Sequence, residues 1–365
     1  MILSRTRPSI YVSTLVVLWG AVAASMAAVQ TPTQLILIRF VLGVFEAGFS
    51  PAVLFMISTW YRKSEHSKRF LCYLSAGILS GAFGGIIAGA ISAGLDGTHG
   101  IAGWRWLFIV EGILTVSVGL MAPFFLLDYP TNCRKFTPAE REIACARLRA
   151  DNISHTAENG RVGHWRTLWN CIMSWRIWLL AIPYMSVIGA FSFSYFYPML
   201  VKGLGYTDVT AQFMTAPLYV VAFVVALPTA VLVDKAPAYR GLVCCGLLCF
   251  GSLFAGLAAG ILAYTPRYVF LCFITAAVWT TSPVALGFAS DILSNIDPEQ
   301  RAVALALINS MANSATIYAS LLYPSTDAPA YLKGFVTWTV LLAFGATLYV
   351  VAWVLFRRHP VRKIV

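Results

Sequence analysis

The chain has 365 residues, of which 59% are hydrophobic and only 11% are charged. Soluble domains average about 25% charged residues, so this chain has too few charges to cover a soluble surface, and it is predicted to be a polytopic membrane protein. The formal net charge of +11 would also fit a nucleic-acid-binding protein. The distribution of that charge along the chain indicates membrane topology instead, so no nucleic-acid partner is expected.

Ten apolar runs are long enough to cross a bilayer, which takes roughly 20 residues. Because lipid offers no hydrogen bonds to the backbone and the runs lack strand-like alternation, they are predicted to be helices. The expected fold is an all-α membrane bundle. The runs lie at about 9–29, 33–60, 70–93, 104–127, 175–200, 211–233, 240–263, 267–288, 301–322 and 335–356.

The basic residues predict the orientation of these spans. With the N-terminus in the cytosol, 21 of the 26 Lys and Arg residues lie on the cytosolic side, four lie on the other side, and Arg39 lies within a span. Both termini are therefore predicted to be cytosolic. The predicted parts are a four-span N-terminal half (1–128), a cytosolic central loop (129–174) and a six-span C-terminal half (175–365).

The central loop contains one sequence signal for a short helix. Thr137 and Glu140 form the pattern of a capping box, with Pro138 at the first helical position. A cytosolic helix near the membrane face is therefore expected over about 138–150. The polar stretch that follows, at 151–164, is predicted to be mobile.

The second span carries two charges at membrane depth, where a charge costs several kcal/mol and usually marks function. Arg39 and Glu46 are seven residues apart and share one helix face. Arg39 could attract an organic anion, and Glu46 could carry the transported proton; alternatively, both tie helices together. The hairpin predicted at 62–69 holds four basic residues that would serve topology and contact lipid headgroups.

Three further polar positions lie within predicted spans. Glu111 is either part of a proton pathway or, as the spacing favours, the acceptor of a helix-to-helix hydrogen bond. Asn309 and Asn313 begin a polar stripe that continues at Thr316 and Ser320. The stripe either lines a cavity or bonds neighbouring helices.

The run 184–198 is rich in aromatic residues. Rings with hydroxyl groups suit an amphipathic organic substrate, but tyrosines are also common at membrane interfaces. Both interpretations stay open for Tyr195, whereas the interface is favoured for Tyr197. Pro198 is expected to break the helix near the site.

Small residues also carry information. Gly81, Gly85 and Gly89 recur every four residues and predict a close helix contact, which could also permit sliding. The eight cysteines form no CxxC pair and are expected to be small, buried residues without disulfides. They are Cys72, Cys133, Cys145, Cys171, Cys244, Cys245, Cys249 and Cys272.

Five stretches carry a resemblance to a known family. Residues 39–48 read RFVLGVFEAG and residues 103–112 read GWRWLFIVEG. The chain resembles the major facilitator superfamily and, within it, the fungal anion:cation symporter family of allantoate, nicotinate, pantothenate and biotin permeases. The weaker matching stretches are FFLLDYP at 124–130, the acidic-basic loop with Asp234 and Arg240, and DAPAYLKGF at 327–335.

The resemblance implies a bundle in which ten of the family's usual twelve helices are present. The opening ILSRTRPSIY is similar to the family's loop between the second and third helices, so the first two helices are expected to be missing. The span of Arg39 then corresponds to the family's fourth helix and faces its central cavity. Asp234 and Arg240 correspond to a cytosolic gate, although a solvated loop pair is an equal alternative.

The function expected from these observations is secondary active transport, namely proton-coupled symport of a small organic anion by alternating access. The alternative is a truncated or sensor-like membrane protein that does not transport. The chain has no GxxxxGKS/T, HExxH or paired CxxC motif, so no enzyme activity, cofactor or metal is expected. The expected partners are the anion, protons and lipid, and the expected state is a monomer in the plasma membrane.

Overall fold

A computed structural model describes residues 6–60, 63–130, 133, 135–149, 164–293, 296, 298–328 and 330–359. Over these residues the secondary structure is helical and contains no strand, which confirms the all-α prediction. The α-helices are α1 (Pro8–Ser25), α2 (Pro32–Trp60), α3 (Lys63–Gly94), α4 (Gly103–Phe125), α5 (Pro138–Arg149), α6 (His164–Met173), α7 (Trp175–Phe191), α8 (Tyr197–Lys202), α9 (Asp208–Phe213), α10 (Thr215–Lys235), α11 (Arg240–Gly260), α12 (Tyr264–Ile292), α13 (Pro298–Asn313), α14 (Ala315–Ala319) and α15 (Leu332–Arg358).

Ten helical segments of the described residues are long and apolar enough to cross a membrane. The ten predicted spans are therefore confirmed. Three spans consist of more than one α-helix, because the helix is interrupted inside the apolar stretch. Residues 208–235 combine α9 and α10, with a turn at Met214 between them. Residues 175–202 combine α7, a 3-10 turn (Ser192–Phe196) and α8, and residues 300–319 run from α13 across a turn at Ser314 into α14.

The hairpin predicted at 62–69 is wrong for most of its length. The backbone is already helical at Lys63, so Lys63, Lys68 and Arg69 lie in the first two turns of α3. The physical reason is local, since the stretch KSEHSKR contains neither Gly nor Pro and its Lys and Arg residues favour helix. Positions 61 and 62 lie outside the described residues.

The chain divides into two compact units. The first comprises residues 1–73 and 87–158, and the second comprises residues 74–86 and 159–365. In the first unit, α1 and α4 approach closely through small residues. The Cα of Gly112 faces the backbone of Ala24, and Gly119 faces Val17 in the same way. Close packing of small residues is the usual means by which membrane helices associate.

Polar side chains cap two helix ends of the first unit by hydrogen bonds. Asp128 accepts from both the backbone N–H and the hydroxyl of Ser9 at the start of α1, at 3.3 and 2.6 Å. Lys135 donates to three carbonyls at the end of α4, those of Pro123, Phe124 and Leu126. These side chains bond backbone groups that have no partner within their own helix.

The predicted capping box is confirmed. The carboxylate of Glu140 accepts from the backbone N–H of Thr137 at 2.8 Å and from its hydroxyl at 2.9 Å, and α5 starts at Pro138. These bonds to the charged form hold the pKa of Glu140 below its usual range. The stretch predicted to be mobile, 151–164, lies outside the described residues except for His164, which begins α6.

The second unit contains a large apolar core built from α7 to α15. Residues 74–86 of α3 belong to this unit and pack against α10. A Cβ placed on Gly81 would lie 2.5 Å from the ring of Tyr219, and one on Gly85 would lie 3.1 Å from the carbonyl oxygen of Gln212. The predicted close helix contact is thus confirmed for these two glycines.

Candidate functional site

The charged face of α2 is the first candidate site. Arg39 and Glu46 are both exposed, and none of the residues from Pro32 to Phe49 is buried. No hydrogen bond or ion pair to either side chain is found among the described residues. The interpretation in which both residues tie helices together therefore lacks a supporting bond, and the role of the pair stays a prediction.

Glu111 lies on α4, half-buried in the first unit. The hydroxyl of Thr115 donates to the backbone carbonyl of Glu111 at 2.7 Å, and its carboxylate makes no hydrogen bond to another helix within the described part of the chain. The neighbouring Arg105 donates instead to the carbonyl of Val29, at 2.9 Å. The proton-pathway role of Glu111 remains a prediction.

In the second unit, rings from four helices (α7, α8, α10 and α12) form a cluster that sequence reasoning did not find. Phe191 on α7 and Trp279 on α12 have ring centroids 4.2 Å apart, and Tyr219 on α10 lies 5.5 Å from both Trp279 and Tyr197. We call Phe191, Tyr197, Tyr219 and Trp279 the aromatic cluster. Its local sequence signals are the aromatic-rich run 184–198, which contains Phe191 and Tyr197, and the run WTTSP at 279–283 inside an otherwise apolar span.

Trp279 carries the chemically notable atom of this cluster. Its indole Nε1 is buried and makes no hydrogen bond of normal geometry among the described residues, although the Tyr197 hydroxyl lies close to it. One turn later, Pro283 lies inside α12; since proline has no N–H, the carbonyl of Trp279 also loses its usual helix partner. A buried donor without a partner costs about 1–3 kcal/mol, which a bound acceptor would offset.

The predictions for the tyrosines have different outcomes. Tyr195 is 72% exposed on the 3-10 turn, so both of its interpretations stay open. The interface interpretation of Tyr197 is wrong, because its ring is buried in the core and its hydroxyl bonds the Thr275 hydroxyl at 2.7 Å. The helix break precedes Pro198, which occupies the first turn of α8, where proline is tolerated.

The polar stripe lies beside the interruption between α13 and α14. Asn309 and Asn313 are exposed, and the amide of Asn313 donates to the backbone carbonyl of Asn309 at 2.8 Å. Thr316 likewise donates to the carbonyl of Asn313. These bonds stay within one span, so the described residues give no support to bonding between helices, and cavity lining remains the prediction.

Asp234 and Arg240 are in direct contact, 2.7 Å apart. Arg240 also bonds Asp291 of α12 at 2.7 Å and donates to the carbonyl of Gly287 at 3.3 Å. The Arg240 side chain is only 12% exposed, so a loosely solvated pair does not describe it. The sequence singled out two members of this ionic triad and missed Asp291, whose partner lies 51 positions away.

The comparisons with known proteins decide the family. The model of the Major Facilitator Superfamily matches residues 2–320. The chain belongs to this superfamily. It is 33% identical to the MFS transporter prlL of a fungal species, over 84% of this chain and 61% of that protein. The chain thus spans less than two thirds of the length of that relative.

Two further relatives are transporters of nicotinic acid and of pantothenate. The high-affinity nicotinic acid transporter of Saccharomyces cerevisiae is 25% identical over 98% of this chain and 65% of its own length. The pantothenate transporter liz1 of Schizosaccharomyces pombe is 28% identical over 95% of this chain and 67% of its own length. These relatives agree with the resemblance that the motifs carry.

Solved structures show the same fold. The proton:xylose symporter XylE superposes with a TM-score of 0.70 at 17% identity, covering 97% of this chain and 80% of that one. A bacterial homologue of the human lysosomal transporter Spinster gives 0.65 at 14% identity, covering 97% and 85%. The relatives and structural neighbours are transporters rather than enzymes, and the ten apolar helices make this chain a multi-pass membrane protein.

Proposed function

We propose that this protein is a secondary transporter that carries a small organic anion in symport with protons, by alternating access. The observation that carries the proposal is Arg39, an exposed arginine within a span of a major facilitator chain. Two relatives are transporters of nicotinic acid and of pantothenate, both of which are carboxylates at neutral pH. Proton coupling is proposed by analogy with the proton:xylose symporter.

Arg39 attracts the anion in this proposal. A guanidinium stays charged at membrane depth and presents a planar set of donors that matches a carboxylate. Glu46 lies two turns further along the same face of α2. A carboxylate there can take up a proton and so lose the charge that is costly at membrane depth, which gives a chemical basis for coupling.

The second unit has candidate substrate contacts of its own. The aromatic cluster offers ring faces, and Trp279 offers a donor that makes no hydrogen bond of normal geometry in the described part of the chain. Tyr195, Asn309 and Asn313 are exposed and add hydroxyl and amide groups to the proposed pathway. The ring or the short amide chain of a substrate would use these contacts of the second unit.

The ionic triad is proposed as the cytosolic gate. Arg240 joins the end of α10, which carries Asp234, to the end of α12, which carries Asp291. Alternating access requires a contact that forms in one state and opens in another. Two ion pairs at 2.7 Å on partly exposed carboxylates can open without burying a bare charge.

Uptake of labelled nicotinate and pantothenate, in a host that lacks its own carriers, tests the proposal. We expect uptake that rises as the external pH falls and that a protonophore abolishes. Arg39→Ala should abolish uptake at unchanged surface level, and Arg39→Lys should restore part of it. The matched control is Lys202→Ala, which removes an exposed cation paired with Asp208 and should leave uptake unchanged.

Two results would contradict the proposal. Unchanged uptake in surface-expressed Arg39→Ala would remove the role of the arginine. A wild-type chain that reaches the membrane but takes up none of a panel of carboxylates would favour the non-transporting alternative. Epitope tags at both ends, tested in intact and permeabilised cells, check the proposed cytosolic termini and the plasma-membrane location, and cross-linking checks the proposed monomer.

A further inference from the structure

A groove of about 600 Å³ lies between α11 and α15 in the second unit. Its walls are mostly apolar and include Leu253, Ala346 and Val350, with two thiols on one side, those of Cys245 and Cys249. The proposed transport pathway does not use this groove. The expectation that all cysteines are buried is wrong here, because Cys245 is only half-buried and Cys249 is exposed.

The two thiols are placed to act together. They lie one helical turn apart on α11, and their sulfur atoms are 3.9 Å from each other. Both cysteines are free. The groove also contains two hydroxyls, but each of them donates to a helix carbonyl: Ser252 to Thr339 and Thr347 to Ala343, at 2.7 and 2.8 Å.

We propose that Cys245 and Cys249 form a dithiol site for one trivalent arsenic centre, whose organic substituent occupies the groove. In the binding step two As–S bonds form and the As–O bonds of the arsenoxide break. The oxygen leaves as water with the two thiol protons. Neither arsenic nor sulfur changes oxidation state, and the adduct is neutral.

We choose an organoarsenical as the ligand class because its complex with two thiolates has no net charge. Among the described residues no charged side chain lines the groove, and a net charge in an apolar setting is costly. A monovalent soft cation held by two thiolates would leave a net negative charge, whereas a bis-thiolate of an organoarsenical carries none. A structural zinc ion needs four ligands, and the described residues contain no group of three or more metal-binding side chains.

Phenylarsine oxide tests the site on the whole chain in detergent. We expect one phenylarsenic group per chain by intact mass, mapped to the peptide that contains both cysteines and removed by 2,3-dimercaptopropanol. Bound arsenical should protect both thiols from N-ethylmaleimide. Cys245→Ser and Cys249→Ser should each abolish the adduct, and the control Cys272→Ser, which removes a buried thiol outside the groove, should retain it.

Three results would overturn the proposal. They are an adduct that persists in either groove variant, an adduct that maps to another cysteine pair, and full maleimide labelling of both thiols in the presence of stoichiometric arsenical. If a variant does not fold, protection of the two thiols from N-ethylmaleimide in the wild-type chain is the measurement that tests the proposal. Silver ions that bind the thiol pair as tightly as phenylarsine oxide would refute the charge argument for the ligand class.

Discussion

Replacement of Arg240 should uncouple it from Asp291, which lies 51 positions later at the end of α12. The Arg240 guanidinium bonds Asp234 and Asp291, both at 2.7 Å, and the side chain as a whole is 12% exposed. A hydrogen-bonded buried pair contributes about 1.5–3 kcal/mol, whereas an exposed ion pair contributes about 0.2–1 kcal/mol. Because the two carboxylates are 36% and 45% exposed, we expect about 1 kcal/mol for each pair.

A double-mutant cycle measures that energy. The variants are Arg240→Gln, Asp291→Asn and the double substitution, and the quantity is the free energy of unfolding in mixed detergent. We expect a coupling energy of about 1 kcal/mol, since distant and independent sites usually add within about 0.3–0.5 kcal/mol. The control cycle uses Lys202 and Asp208, a pair whose side chains are 59% and 74% exposed, and its coupling should be near zero.

The cycle has a clear negative result. If the coupling between Arg240 and Asp291 is no larger than that of the control pair, the triad does not hold the ends of α10 and α12 together, and the gate proposal fails with it. Removal of both pairs should shift a conformational equilibrium by roughly 30-fold, the equivalent of about 2 kcal/mol. Uptake by Arg240→Gln should therefore change more than its surface level does.

Three further predictions concern packing, binding and pH. Gly85→Ala should lower the free energy of unfolding by about 1–3 kcal/mol, because the added Cβ would overlap the Thr215 hydroxyl. The control is Gly84→Ala on the same helix, where an added Cβ has nothing within 4 Å. That variant should leave the free energy of unfolding unchanged. Trp279→Phe keeps an aromatic ring but removes the N–H, so the KM for the carboxylate should rise about tenfold, and an unchanged KM would exclude this donor. The pKa of Glu140 is lowered by its capping bonds, so α5 should be stabilised above the ordinary carboxyl pKa and should fray as pH falls through the lowered pKa. Amide exchange over α5 checks this, and Glu140→Gln should remove the pH dependence.

The spans were predictable because bilayer thickness sets their length and lipid excludes other backbone conformations. The capping box was predictable for a similar reason, since its partners are three residues apart and local spacing determines the contact. By contrast, Asp291 and the aromatic cluster were missed. Their contacts join α7, α8, α10, α11 and α12 at separations that a single sequence does not encode in any local pattern.

The failed predictions have the same origin. Tyr197 was assigned to the interface because tyrosine is common there, yet the 3-10 turn before α8 places its ring in the core, where its hydroxyl bonds Thr275. Cys249 was expected to be buried from its residue type, yet the groove between α11 and α15 leaves it exposed. In both cases the burial of the side chain depends on a feature of the fold, the 3-10 turn or the groove, that the residue type alone does not predict.

The basic residues of the chain can be sorted by what they bond, and the sorting supports Arg39 as the functional cation. Arg105 donates to a backbone carbonyl at a helix end, Lys135 donates to three of them, and Arg267 donates to the carbonyls of Ala258 and Ala330. Arg240 is neutralised by two carboxylates. These four cations have structural partners that account for their positions.

Arg39 differs from them, because within the described ranges no carbonyl or carboxylate is found bonded to its guanidinium, although it lies in an apolar span. A cation at that depth costs several kcal/mol unless an anion or water compensates it. The cost remains in the unliganded chain and would be offset by a bound carboxylate. That difference between the two states is a driving force for anion binding that the other four cations do not provide.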